Sequence, residues 1–399
     1  MERGDVVVVG AGIVGLATAR AILIANPALR VTVVDKENGT GRHQSGRNSG
    51  VIHAGVYYPP GSEKARLCTA GRTSMVQYCR DHGIAHEVCG KVVVALDRDE
   101  RTRLVELERR CRANGVRVEM IDVDQLHEIE PHATGVAALH VLDTGITDYP
   151  GVCRSLAAEI QEMGGTIALE TAVISGVEHA DGLVIETDRG EITTRRAVTC
   201  AGLQADRVAI ALSGPDGAAG LRIVPFRGEY FKLVAARAHL VRTLIYPVPD
   251  PQFPFLGVHL TRGVDGQVHV GPNAVLALAR EGYSWRELKA RDLRDTLAFS
   301  GFRKLAAQYW RYGAGEMARS LSKRRFTKAL QRLVPEVTIE DLAAAPAGVR
   351  AQAVAPDGTL VDDFAFQQIG SALHVLNAPS PAATASLEIG RTIAARLEL

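Results

Sequence analysis

Gly10, Gly12 and Gly15, with Asp35 twenty residues beyond the last of them, have the types and spacing that hold a dinucleotide. In such a turn the first glycine reverses the chain tightly and the second lets the backbone approach a pyrophosphate. The third allows a helix to pack close to its strand. Ile13 and Val14 fall where the first helical turn offers free N–H groups to the phosphates, and Asp35, followed by Lys36, falls where a carboxylate accepts from a ribose hydroxyl. A second candidate is chemically different. His53 is the one ionisable side chain in Gly50-Val51-Ile52-His53-Ala54-Gly55, where small residues let the backbone approach a planar ring.

These residues need particular elements to position them. Val6-Val7-Val8-Val9 reads as a buried parallel strand, Leu16 to Ala21 as the helix after it, and Val31 to Val34 as the next strand, so the glycines fall on a strand-to-helix turn. The polar, glycine-rich segment 39–50 then leaves a nucleotide-binding strand, which assigns Ser45, Asn48, Ser49, Gly50 and the following Val51 to the cofactor. Helical spacing runs from Lys64 to about His82 and from Arg98 to Ala113, with a strand between them at Lys91 to Leu96. A helix from Thr147-Asp148-Tyr149-Pro150 to the Gly164-Gly165 stop precedes short strands at 166–169, 173–177, 183–187 and 197–200. After the turn Ala201-Gly202, aromatic and β-branched strands and then helices fill 222–326, with no second GxGxxG, and the last helix begins at Ala382.

A chain of 399 residues is too long for one compact core. The expected architecture is α/β: a Rossmann-like nucleotide domain in three pieces, 1–85, 143–220 and 344–399, interrupted by a sheet-rich substrate domain, 86–142 and 221–343. With 46 basic against 45 acidic residues, nothing in the overall charge calls for nucleic acid as a partner. The first strand starts almost at the N-terminus and no apolar run reaches membrane-spanning length, so a cytoplasmic location is expected. The six cysteines form no CxxC pair and the histidines no ligand spacing, so neither a disulfide framework nor a metal is expected.

A nicotinamide dehydrogenase usually continues βαβα through its first half, whereas this chain departs into a long Ser/Asn/Gly loop and regains the nucleotide domain only after residue 140. That organisation suits a flavin, whose larger ring must be screened on several sides, and FAD is the expected cofactor. The fingerprint with Asp35, the loop Ser45 to Gly55, the turn Val198-Thr199-Cys200-Ala201-Gly202, Pro225-Phe226-Arg227-Gly228 and Ala347-Gly348-Val349-Arg350 resemble the D-amino-acid-oxidase-like flavoenzymes. Within them the resemblance is greatest to the L-2-hydroxyglutarate dehydrogenases (oxidases), through VIHAGVYY, IVPFRGEY, IYPVPDPQFPFLGVHL, VGPNAVLA, PAGVRAQ and NAPSPAATAS, and it covers essentially the whole chain.

The resemblance implies oxidation of the C2 alcohol of L-2-hydroxyglutarate to 2-oxoglutarate, with hydride passing to flavin N5 and electrons leaving to a quinone, another carrier or oxygen rather than NAD. A quinone acceptor would bring peripheral contact with the inner face of a membrane. Val173, Ala201, Gly202, Asn377, Ser380, Ala382, Ala383 and Thr384 become cofactor residues on this reading, although prolines stand in 377–384 where many relatives have glycines. A dicarboxylate substrate needs cationic partners, for which Arg350 and Arg227 are the candidates, each having a buried structural ion pair with an acid such as Glu229 or Asp357 as its alternative. His53 is then the candidate base for the hydroxyl proton, with covalent flavin attachment or a structural hydrogen bond as the alternatives. His259 and Tyr246 are further pocket candidates, and Tyr57 and Tyr58 fit either a pocket or a core. The competing activities are a glycerol-3-phosphate dehydrogenase or amine oxidase of the same superfamily, and a non-catalytic or RNA-modifying flavoprotein.

Overall fold

The computed structural model describes residues 4–250, 257–320 and 322–397. The strand Gly4–Val9 is central to a sheet that runs Val173–His179, Gly182–Thr187, Gly190–Thr199, Gly4–Val9, Val31–Val34, Thr166–Ala168. Ala372–Asn377 adds to it in parallel beside Gly190–Thr199, and Ala365–Ile369 pairs outside that strand. The four valines of the first strand are all buried because parallel neighbours and helices cover both faces. One main core lies between this sheet and the helices Ile13–Ala25, Tyr149–Glu162 and Ala382–Arg396.

The local signals carry most of this pattern. Ser62 caps the helix Glu63–Asp81 by accepting from the Ala65 N–H, and Asp97 caps Arg98–Ala113 by accepting from the Glu100 N–H. Pro150 sits in the first turn of Tyr149–Glu162, where its missing N–H costs nothing. Gly71 lets Glu63–Asp81 cross the last helix closely, since a Cβ there would come within 2.6 Å of Ala385 Cα.

A second sheet of nine strands runs Val275–Leu276, Arg222–Leu233, Val268–Gly271, His259–Arg262, Leu244–Pro247, Lys91–Ala95, Ala137–Val141, Val118–Ile121. Its ninth strand, Leu342–Val354, lies antiparallel along Arg222–Leu233 over nearly the full length of both. The boundary expected at 344 therefore falls inside a strand of the second sheet, and the chain regains the first sheet only at Ala365. The alanine-rich sequence Leu342-Ala343-Ala344-Ala345 hid that strand, because small residues give no alternation to read. At the junction, Val51–Ile52, Gly145–Thr147 and His86–Glu87 form a small third sheet.

Candidate active site

The fingerprint folds as its residue types require. Gly10 has φ +113°, and a Cβ there would overlap the Cys200 carbonyl. A Cβ on Gly15 would overlap the Gly10 carbonyl oxygen, so only glycine lets the helix Ile13–Ala25 start this close to its strand. The Asp35 carboxylate accepts from the Ala11 N–H at 2.6 Å and the Glu37 N–H at 2.8 Å, and each oxygen keeps a second acceptor position for a ribose hydroxyl. Ser45 reaches back from the polar loop, its Oγ accepting from the Ile13 N–H at 2.9 Å at the helix N-terminus. Asn48 braces the loop through the Gln44 and Ser45 carbonyls and the Gly50 N–H.

These groups face one cavity of about 1250 Å³ that continues to the second sheet. Its size exceeds the roughly 300–1,000 Å³ of a site for one drug-sized molecule, leaving room for a dinucleotide and a small substrate together. Gly10, Gly12, Ile13, Val14, Asp35, Lys36, Ser45, Asn48, Ser49 and Val51 line it, as do Val173, Ala201, Gly202, Asn377, Ser380, Ala382 and Ala383. So do His53, Tyr246, His259 and Arg350 on the far wall.

Four expected residues do not line it. Gly15 and Gly50 act in packing and turning, Gly50 with φ +70°. Thr384 is fully buried, its Oγ accepting from the His53 N–H at 3.0 Å and lying 3.0 Å from Tyr149 Oη, so it holds His53 in place rather than contacting the cavity. Arg227 is 1 % exposed, paired with Glu229 at 3.2 Å and covered by the Trp285 ring at 4.1 Å. In the register, Arg227 opposes Val349 and Arg350 opposes Phe226, so the two arginines extend to opposite faces of the sheet and only Arg350 reaches the cavity.

The far wall gathers positive charge. Burial pushes His53 down to about 3, helped by the charges of Lys91 and Arg350 and by His259. His259 is pushed down to about 3 by burial as well, with Arg350 and Lys91 adding to the shift, while its bond to the Gly257 carbonyl opposes it. Both imidazoles are therefore neutral at pH 7. No carboxylate contributes to either shift. Tyr246 stacks on His259 with ring centroids 3.9 Å apart. The motif stretch carrying His259 includes residues 251–256, which lie outside the described residues.

The sequence reading missed Lys91 and Tyr230. Lys91 opens a strand of buried residues, and a lone charge at the head of a Val-Val-Val run was the available signal. Tyr230 lines the cavity beyond a bulge in its strand, which no sequence pattern marks.

Near Asp35, Glu37, His43 and Glu281 bring their ligand atoms within 4.8 Å of one another. The Lys36 ammonium already sits among them, 3.0 Å from Glu281 and 3.5 Å from His43, so this cluster holds a side-chain cation of its own. It also ties the nucleotide loop to the second domain, as do the pairs of Asp206 with Arg280 and of Arg207 with Asp292 and Asp295.

The family described as FAD dependent oxidoreductase (DAO) matches residues 5–396. The chain belongs to that family. It is 46% identical over 390 residues to the L-2-hydroxyglutarate dehydrogenase of Indibacter alkaliphilus, covering 98% of this chain and 97% of the relative. It is 45% identical to the mitochondrial L-2-hydroxyglutarate dehydrogenase of Homo sapiens, covering 98% and 88%. Among solved structures, L-alpha-glycerophosphate oxidase from Mycoplasma pneumoniae with FAD bound superposes with a TM-score of 0.80 at 21% identity, over 100% of this chain and 96% of that one. FAD is the cofactor, and the glycine turn, Asp35 and the Ser45 loop line a cavity that could hold it.

Proposed function

We propose that this chain oxidises L-2-hydroxyglutarate to 2-oxoglutarate. FAD, when bound, supplies the acceptor for the C2 hydride. The observation that carries the reading is the far wall, where Arg350 lines the cavity beside two neutral imidazoles and the buried Lys91 adds its charge behind them. Such a wall suits a dianion. The planar fork of Arg350 fits one carboxylate bidentately. His53, neutral at working pH and fixed by Thr384, takes the hydroxyl proton as the C2 alcohol is oxidised. Arrival of a doubly negative substrate offsets the neighbouring cations and raises the basicity of His53 when the proton must move. Ala382 and Ala383 bring the N-terminus of the last helix to the cavity, and its positive end favours an electron-rich cofactor. The relatives' naming as dehydrogenases supports an electron acceptor other than oxygen.

Among the described residues no helix is long and apolar enough to cross a membrane. The helix Lys323–Leu330 carries Lys323, Arg324, Arg325 and Lys328 with no acid, which supports peripheral contact with an anionic surface in a cytoplasmic enzyme. Anaerobic bleaching of the flavin tests the substrate. L-2-hydroxyglutarate should reduce it, with D-2-hydroxyglutarate and glycerol 3-phosphate far slower. Rapid reduction by glycerol 3-phosphate with none by L-2-hydroxyglutarate overturns the proposal.

A further inference from the structure

We propose that Lys91 is a positioning residue that fixes Tyr57 as a hydrogen-bond donor into the cavity and so sets a preference for a second carboxylate on the substrate. The inference rests on the substrate reading above. Lys91 is 2 % exposed, and its ammonium lies 4.7 Å from the ring centres of both Tyr57 and Tyr246. Its one hydrogen bond among the described residues is to Tyr57 Oη at 3.3 Å, and no carboxylate there pairs with it. The other groups that act on it are the thiols of Cys111 and Cys68, which burial pushes up to about 11 and about 12 and so keeps neutral. A buried ammonium held only by aromatic faces and a phenol is an unusual expense for a fold.

The direction of the hydrogen bond follows from chemistry. An ammonium has three donors and no acceptor, so Tyr57 Oη must accept from Lys91. Burial holds the Tyr57 phenol well above its ordinary pKa, so it keeps its proton. Among the described residues that proton has no other recipient, and Tyr57 lines the cavity. Its donor is therefore directed to a guest, strengthened by the charge behind it. A carboxylate, which only accepts, gains from such a donor, whereas an apolar tail strands it. Arg350 serves one carboxylate, and the Tyr57–Lys91 pair serves the other.

The test compares L-2-hydroxyglutarate with L-2-hydroxyvalerate, which has the same carbon chain without the second carboxylate, in wild type and in Lys91→Met, Lys91→Arg, Tyr57→Phe and the Lys91→Met/Tyr57→Phe double variant. Lys91→Met should raise KM for L-2-hydroxyglutarate about tenfold or more, the loss of a charge-assisted hydrogen bond. The ratio of kcat/KM between the two substrates should fall by the same factor. Lys91→Arg should retain most of the preference, and the double variant should be no worse than either single one, because the residues act in series. Equal losses for both substrates, or an unchanged ratio, overturn the inference. If Lys91→Met does not fold, Tyr57→Phe decides alone, and an unchanged ratio there overturns the inference too. A wild type that L-2-hydroxyglutarate does not reduce overturns the substrate reading itself. A responsive wild type whose variants keep their preference overturns only the role of Lys91.

Discussion

Replacing His53 with glutamine separates proton transfer from binding. The His53 side chain makes one long contact, 3.4 Å to Ser380, while the hydrogen bond that fixes the segment runs from its backbone N–H to Thr384 and survives the change. The stability cost is thus about 1 kcal/mol or less, and FAD should remain bound. Glutamine cannot take a proton at neutral pH, so the barrier to flavin reduction should rise by the whole of a general-base contribution. At 1.36 kcal/mol per tenfold, a loss of about a hundredfold to ten-thousandfold is about 2.7 to 5.4 kcal/mol. Stopped-flow reduction under anaerobic conditions at saturating L-2-hydroxyglutarate measures it, with the flavin spectrum confirming occupancy. The pH profile adds a second constraint. His53 sits near 3 in the free protein, below its ordinary 6.5, so it stays unprotonated across the range in which an ordinary histidine becomes protonated. The acid limb of kcat/KM should accordingly be absent near pH 6.5 and appear only well below pH 5. Reduction by His53→Gln within about threefold of wild type, with full FAD, would refute the base assignment.

Other outcomes follow from the same geometry. Asp35→Ala should release FAD during gel filtration, because two backbone N–H groups and the ribose lose their shared acceptor; undiminished retention counts against the fingerprint. Arg350→Lys keeps the charge and loses the fork, so kcat/KM for L-2-hydroxyglutarate should fall by about 1.5 to 3 kcal/mol without loss of FAD, and wild-type kinetics would remove Arg350 from the site. Arg227→Lys should instead lower the melting temperature with little change in KM, as expected of a residue turned away from the cavity. His53 and His259 near 3 and His374 near 4 are all depressed, so between about pH 6.5 and 4 the unfolded chain binds protons that the native state refuses. Stability should therefore fall as pH drops through that window, by up to about 4 kcal/mol per pH unit if all three contribute, and His374→Asn should flatten the dependence in thermal melts.

What was legible in the sequence was what short stretches encode. The glycine turn, Asp35 and the start of the last helix at Ala382 are local signals, and each falls where the sequence puts it. His53 was legible because a lone imidazole among glycines and alanines has few structural uses. The substrate wall was only half legible. Tyr246 and Lys91 come together because the strand Leu244–Pro247 pairs with Lys91–Ala95, strands some 150 positions apart in the chain, and no window of sequence contains that register. Arg227 and Arg350 looked alike because both lie near glycine on apolar strands, and only the pairing of Phe226 with Arg350 sends them to opposite faces. Thr384 was expected at the cofactor from the resemblance, together with Ala382 and Ala383, and helical rotation turns it inward to His53.

The interleaving of the two sheets bears on how the enzyme is made. The sheet behind the cofactor turn takes its strands from three separate stretches, 4–34, 166–199 and 365–377, and the helix Ala382–Arg396 closes its core. A polypeptide still on the ribosome has its glycine turn and Asp35 from the first few dozen residues, yet lacks the floor on which they rest. Flavin retention thus needs more than the fingerprint, and a truncation that removes Ala382–Arg396 should yield apoprotein however intact the fingerprint remains.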